Sequence, residues 1–298
     1  EDPLRVLRAA QFAARFGFDI DPTTSKLMTK LADELADVHE SRFHIEVDKI
    51  FKKGIKPSIA FKILKDSDTL KSVLPQLDKI PESVFNKVLK SLDAIPIQKR
   101  RLNVMLALLV KELPNPKKAL DNLTSIEDYK KQVETIIQNM DDVYKLKDNL
   151  NEKDIRWLAH KAQNKKKGKV DFEDLVMTYA AELTAQEKSG EKEHVHSILK
   201  TFDDVKHQVN PWFLGRDLEE LGINPGEIFG TILKEMHEAQ LDGEFSTKKE
   251  GSAYLQNVVD KLKKYNLLNK PSEEQMLKAI TQDGSLIRFF KNPSEALQ

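Results

Sequence analysis

The chain opens with EDPLRVLR, which places two acids and two arginines within two turns of a predicted helix. Asp2 is a good N-cap because its carboxylate accepts from first-turn N–H groups. Asp2 and Arg5 are then one turn apart and can project together. A carboxylate acceptor beside a guanidinium donor matches the donors and acceptors on a nucleobase edge. The alternative interpretation is a capped helix start with a local ion pair.

Lysine-rich segments form a second kind of candidate site. The connector NKKKGKV lies between two predicted helices, and its lysines are Lys165, Lys166, Lys167 and Lys169. Smaller basic clusters lie at 99–101, 130–131, 248–249 and 261–264. Flexible lysines in a loop would hold an RNA backbone without reading its sequence. Trp157 and Trp212 offer rings for base stacking, and the alternative for all of these groups is a solvated face or ordinary packing.

Composition limits the function classes. The 298 residues carry 48 Lys+Arg and 48 Asp+Glu, so only local clusters can attract a nucleic acid. The absence of cysteine excludes disulfides, thiol nucleophiles and thiolate zinc sites. No apolar run reaches the roughly 18 residues of a membrane span. We therefore expect a cytoplasmic protein with no membrane partner.

The elements that position these groups are predicted to be helices throughout. In the first helix Leu4, Leu7, Ala10, Phe12 and Ala14 are assigned to one apolar face, and Gly17 supplies the stop. The run from Val104 to Val110 predicts a helix buried on several sides. Period-two alternation never persists, so we predict an all-α, elongated fold without significant β-sheet.

The opening stretch EDPLRVLRAAQFAARFGFDIDPTT resembles the nucleotide-recognition motif of the class II tRNA nucleotidyltransferase (CCA-adding enzyme) and bacterial poly(A) polymerase family. Gln11 stands where arginine is common. The stretch SRFHIEVDKIF, followed by KPSIAFKILKDSDTLKSVLPQL, resembles the neck-to-body region, with Ser41 and Phe43 replacing the usual Glu and Ile. The segment from FLGRDLEELGI to KKEGSAYL is similar to the family's tail, in the same order.

The resemblance implies a neck at 1–60, a body at 61–125 and a tRNA-binding tail at 126–265. Residues 266–298 would begin a C-terminal helical repeat, since KPSEEQMLKAI is echoed by NPSEALQ from Pro293. The family resemblance further implies that Asp2 and Arg5 pair with the base of the incoming CTP or ATP. Glu1 would orient Arg5, and Arg8 would meet the triphosphate or brace the site. The substrates would be ATP, CTP and tRNA.

In this family Mg²⁺ is held by a catalytic head that precedes the motif and carries Gly-Ser and Asp-x-Asp. Here Asp19 and Asp21 form the pattern FDID, but no Gly-Ser precedes them and Asp21 suits a cap before Pro22. None of the seven histidines is followed by Asp, which argues against a metal-dependent hydrolase. We therefore expect neither a catalytic nor a metal-ligating residue in this chain.

The start at Glu1 therefore suggests a domain seam, with the head supplied in cis or in trans. An experimental cut, a cleavage product and a naturally split enzyme all fit this start. The parent activity stays open among CCA, CC-only, A-only and poly(A) addition. The alternative function is a stand-alone helical RNA-binding or scaffold module without catalysis.

Overall fold

Helix-forming patterns account for nearly all of the secondary structure. The computed structural model describes residues 2–35, 38, 40–268 and 271–289, and these contain helices and short 3-10 turns without a strand. The all-α prediction is confirmed. Glu1 and the second repeat copy at Pro293 lie outside the described residues. The α-helices are α1 (Leu4–Phe16), α2 (Pro22–Lys30), α3 (Ala32–Leu35), α4 (Glu40–Lys53), α5 (Pro57–Asp66), α6 (Leu70–Val73), α7 (Pro75–Asp78), α8 (Glu82–Ala94), α9 (Leu102–Val110), α10 (Pro116–Leu123), α11 (Glu127–Lys145), α12 (Glu152–Ala162), α13 (Phe172–Ala185), α14 (Lys192–Val205), α15 (Gly215–Glu219), α16 (Glu227–Asp242), α17 (Lys248–Lys264) and α18 (Glu273–Gln282).

The chain forms two compact units, one of Glu1–Leu150 with Lys161–Lys200 and one of Asn151–His160 with Thr201–Gln298. In the first, α1 packs against α4 and α5, while α9 packs against α8, α11 and α13. All nine residues of α9 are buried, as its apolar run predicts. The boundaries of the two units do not test the predicted neck, body, tail and C-terminal repeat. That division of the chain therefore stays a prediction.

The second unit has its own apolar core, formed mainly by α16, α17 and α18 with the segments that follow α14 and α18. A buried arginine lies beside it. Arg156 donates from Nε to the Leu241 carbonyl at 2.9 Å and from Nη1 to the Gln208 side chain at 3.1 Å. These bonds satisfy a charge that would otherwise be costly to bury. None of the described helices is both long and apolar enough to cross a membrane.

Helix α1 ends where the sequence predicts. Gly17 adopts φ +70°, and its N–H bonds to the Ala13 carbonyl at 2.8 Å. Leu4, Leu7, Ala10 and Ala14 are buried as predicted. Phe12 is not: its side chain is 41% exposed, so its assignment to the buried face was wrong. Five residues after Leu7 is 500° around the helix, which carries Phe12 away from the core stripe.

Candidate nucleotide and RNA interface

The Asp2 carboxylate is held from two sides at the start of α1. Its Oδ1 accepts from the Leu4 N–H at 3.1 Å, which is the predicted capping role. Its Oδ2 accepts from Arg42 Nη2 at 2.7 Å, and Arg42 comes from α4. Because both side chains are about half exposed, the ion pair itself adds little stability. Its effect is to fix where the carboxylate points.

The same contacts keep Asp2 ionised. The hydrogen bond from Arg42 lowers the pKa of the Asp2 carboxyl, and the Leu4 N–H and the charge of Arg5 lower it further. Asp2 is therefore an acceptor-only group at neutral pH. A carboxylate has about four lone-pair positions, so two donors leave it able to accept again.

The two arginines predicted to act with Asp2 in nucleotide binding lie on the exposed side of α1. Arg5 and Arg8 are both exposed, and Arg5 is close enough for its charge to act on Asp2. Glu1 lies outside the described residues. Sequence reasoning missed Arg42, although it stands inside the stretch SRFHIEVDKIF that carried the resemblance. Its only sequence signal was an arginine next to the substituted Ser41.

The acidic pair FDID is used for structure. Asp21 precedes α2 and accepts from the Thr23 N–H at 2.8 Å, the capping role expected from the sequence. Among the described residues no group of three His, Asp or Glu side chains is arranged to hold a metal ion.

The lysine connector is attached firmly to α11. The Thr135 hydroxyl donates to the Lys167 carbonyl, and the Asn164 side chain accepts from the Lys166 N–H at 3.0 Å. Gly168 is buried at φ +92°, and a Cβ there would lie 2.3 Å from the Lys131 carbonyl carbon. The sequence predicts a flexible loop, but in the structure the connector is anchored to α11. Its backbone presents lysines from a defined place.

The anchoring brings Lys131 to the connector. The side chains of Lys131, Lys166, Lys167 and Lys169 are exposed, and none has an ion-pair partner among the described residues. We call these four residues the lysine patch; the Lys165 side chain is not among those described. The neighbouring Lys130 differs, since it pairs with Asp121 at 2.7 Å.

Each of the other basic clusters has at least one cation that is bonded within the protein. Arg100 donates to the carbonyls of Phe51, Gly54 and Ile55, which satisfies groups at the end of α4. Arg101 pairs with Asp171 and the buried Asp174, each at 2.8 Å. In the second unit, Lys248 pairs with Asp217 at 3.5 Å and Lys261 with Asp283 at 3.2 Å. The lysine patch is therefore the clearer phosphate-binding candidate.

Both tryptophans are only partly exposed and are held by hydrogen bonds. Trp157 Nε1 donates to Asp242 at 2.8 Å, and Trp212 Nε1 donates to the His207 carbonyl at 2.9 Å. Trp212 also packs against the apolar core of the second unit. These contacts favour the packing alternative over base stacking.

Replacing Gly168 by alanine should destabilise the protein by about 2 kcal/mol, because alanine is strained at this positive φ and its Cβ would overlap α11. Urea denaturation measures the free energy of unfolding. Gly190→Ala is the matched control, since a Cβ at Gly190 meets nothing within 4 Å. Equal effects of the two substitutions would show that the close approach to α11 contributes no stability.

Comparisons with known proteins find a family model and relatives that are similar to part of this chain. Residues 17–80 match the family model described as the probable RNA and SrmB-binding site of polymerase A. The Multifunctional CCA protein of Tolumonas auensis is 46% identical over 85 residues, which cover 27% of this chain and 20% of that protein. The Multifunctional CCA protein of Actinobacillus pleuropneumoniae serotype 5b is 42% identical over the same length, with the same coverage of both proteins.

Solved structures share the fold over most of the chain. A CCA-adding enzyme in complex with ATP has a TM-score of 0.59 at 20% identity and covers 87% of this chain and 60% of its own. A Thermotoga maritima CCA-adding enzyme complexed with tRNA has a TM-score of 0.57 at 20% identity, covering 87% and 61%. The match thus spans about a fifth of the curated relatives and about three fifths of these structures. Together the matches support the resemblance of this sequence to the class II CCA-adding enzyme and poly(A) polymerase family.

Proposed function

We propose that this chain is the nucleotide-selecting and tRNA-binding part of a template-independent nucleotidyltransferase that adds C and A to the tRNA 3′ end. Its relatives are named as CCA proteins, and its fold is that of CCA-adding enzymes. The observation that carries the proposal is the Asp2 carboxylate, held in place by the Leu4 N–H and Arg42 at the first turn of α1.

Asp2 and Arg5 would read the incoming base together. Asp2 still has acceptor positions, so it can accept from the exocyclic amine of cytosine or adenine. Arg5 would donate to the neighbouring ring nitrogen or carbonyl. Uracil and guanine present a carbonyl where Asp2 needs a donor, so they are disfavoured. Arg42 would keep the carboxylate pointing at the base, which limits the orientations lost on binding.

Arg8, one turn beyond Arg5, would contact the triphosphate of the bound CTP or ATP. Mg²⁺ would be held by the catalytic head, as the family resemblance implies. When bound there, the metal would supply electrostatic stabilisation of phosphoryl transfer. This chain would contribute the choice of base and the grip on tRNA.

The lysine patch would hold the tRNA backbone. Its cations are exposed, presented by an anchored connector and without ion-pair partners among the described residues, so phosphates would not have to displace an internal carboxylate. Contacts of this kind position an RNA without reading it. They also make binding sensitive to salt, because each contact releases counterions.

We expect Lys166→Gln, Lys167→Gln and Lys169→Gln together to weaken tRNA binding and reduce its salt slope by up to about one unit per lost contact. Fluorescence anisotropy over a salt series measures both. The matched control replaces Lys71, Lys90 and Lys147 by Gln. These lysines already pair with Asp68, Glu187 and Glu191, so the net charge changes equally without loss of a free cation. An equal fall in affinity for both triple variants would mean that only net charge matters.

A further inference from the structure

Three phenylalanines form an exposed ladder at the end of α1. The rings of Phe12 and Phe16 stack with centroids 6.0 Å apart and planes 9° apart, and Phe16 stacks on Phe18 at 5.7 Å and 29°. Their side chains are 41%, 47% and 66% exposed, respectively. Large aromatic rings left in water side by side are unusual in a soluble protein and indicate a binding surface.

The ladder follows from the local sequence. Phe12 and Phe16 are four residues apart, which places them on one side of a helix. Gly17 then turns the chain at positive φ, and the Phe18 N–H bonds back to the Ala13 carbonyl at 3.2 Å. This return brings Phe18 alongside Phe16. The arrangement thus rests on helix spacing and a glycine cap.

Helix α1 contributes only positive charge beside the ladder, although the exposed Asp19 and Asp21 follow Phe18. Helix α1 reads LRVLRAAQFAARF, with three arginines and no acidic residue, in a chain of zero net charge. Its exposed positions are Arg5, Arg8, Phe12, Arg15 and Phe16. Arg15 also lies over the Phe16 ring, with its guanidinium carbon 5.1 Å from the centroid. The α1 side of this face therefore favours a partner that carries negative charge and flat rings.

We propose that the Phe12–Phe16–Phe18 ladder with Arg15 is a platform for unpaired nucleotides of single-stranded RNA. Bases would stack on the outer ring faces of Phe12 and Phe18, since Phe16 is stacked between them, and Arg15 would contact the phosphates. Paired bases have their faces covered, so a duplex would not use the ladder. The proposal rests on the proposed function only in taking RNA as the partner. Phe12, Arg15 and Phe16 precede residue 17, where the matched family region begins, and Phe18 lies just inside it.

The experiment measures binding of three fluorescent probes to the intact chain: a single-stranded ten-nucleotide RNA, an abasic strand of the same length, and a duplex of the same sequence. We expect tightest binding to the single strand. Phe16→Leu keeps an apolar side chain but removes the middle ring on which Phe12 and Phe18 stack. It should weaken single-strand binding about tenfold while leaving the other probes unchanged. Phe16→Trp should preserve the preference for the single strand.

Leu27→Ala is the matched control, because Leu27 is a large apolar side chain of the same unit and is 54% exposed. Arg15→Gln should reduce the salt slope for the single strand by about 0.7. Equal binding of the three probes, or unchanged single-strand binding by Phe16→Leu, would overturn the platform. A third result would also overturn it: light scattering shows that the chain is a dimer, and Phe16→Glu abolishes the dimer but keeps RNA binding. The ladder would then be the contact between two copies of the chain.

The two proposals fail separately. Loss of single-strand preference in Phe16→Leu, with tRNA binding unaffected by the lysine-patch variant, supports the platform and removes support for the tRNA grip. The reverse result keeps the tRNA grip and overturns the platform.

Discussion

Purified chain is expected to incorporate no CMP or AMP into tRNA, and fusion to the catalytic head of a CCA-adding relative is expected to restore incorporation of both. The reason is that phosphoryl transfer in this family needs metal-holding carboxylates. Among the described residues no group of three or more His, Asp or Glu side chains could hold a metal ion. Extension of a labelled tRNA lacking its 3′ end, resolved on a gel, measures the incorporation.

Two controls make this result specific. The head alone shows how much activity it retains without the nucleotide-selecting part. A fusion in which both acids of the head's Asp-x-Asp are changed to Ala should be inactive, which excludes a contaminating enzyme. Incorporation by the unfused chain would contradict the proposed division of labour. An inactive fusion with intact tRNA binding would favour the alternative of an RNA-binding module without catalysis.

In the active fusion, Arg5→Ala should relax the preference for CTP and ATP over UTP and GTP by roughly ten- to a hundredfold. A good bidentate base contact gives about 1–3 kcal/mol of discrimination. Arg5 is exposed at the start of α1, so the fold should survive its truncation. Single-nucleotide incorporation from each of the four triphosphates measures the ratios.

The control for this substitution is Arg216→Ala, which removes an exposed arginine from α15 in the second unit. It should leave all four ratios unchanged. Asp2→Ala is a less clean test, because it also removes the hydrogen bond to the Leu4 N–H and the ion pair with Arg42. If Arg5→Ala slows all four reactions equally, Arg5 supports the structure and does not read the base.

Tertiary contacts explain why the candidate site was only partly predictable. Their spacing made Asp2 and Arg5 candidates and the family resemblance selected them, but Arg42 lies 40 residues away along the chain. The lysine connector was recognised from its composition. Its attachment to α11 depends on Thr135, which lies 32 residues from Lys167. Local spacing cannot report such contacts, because they form only when α4 and α11 take their places.

The sequence by itself determined the local features: the all-α class, the stop at Gly17, the Asp21 cap and the burial of α9. These depend on hydrogen bonds between near neighbours and on apolar content, both of which the sequence carries directly. Tertiary structure decided which charges are already paired, as with Lys130 against Lys131, and which rings face water, as with Phe12. Pairing and exposure depend on elements distant in the chain, since a helix face is buried only where another helix covers it.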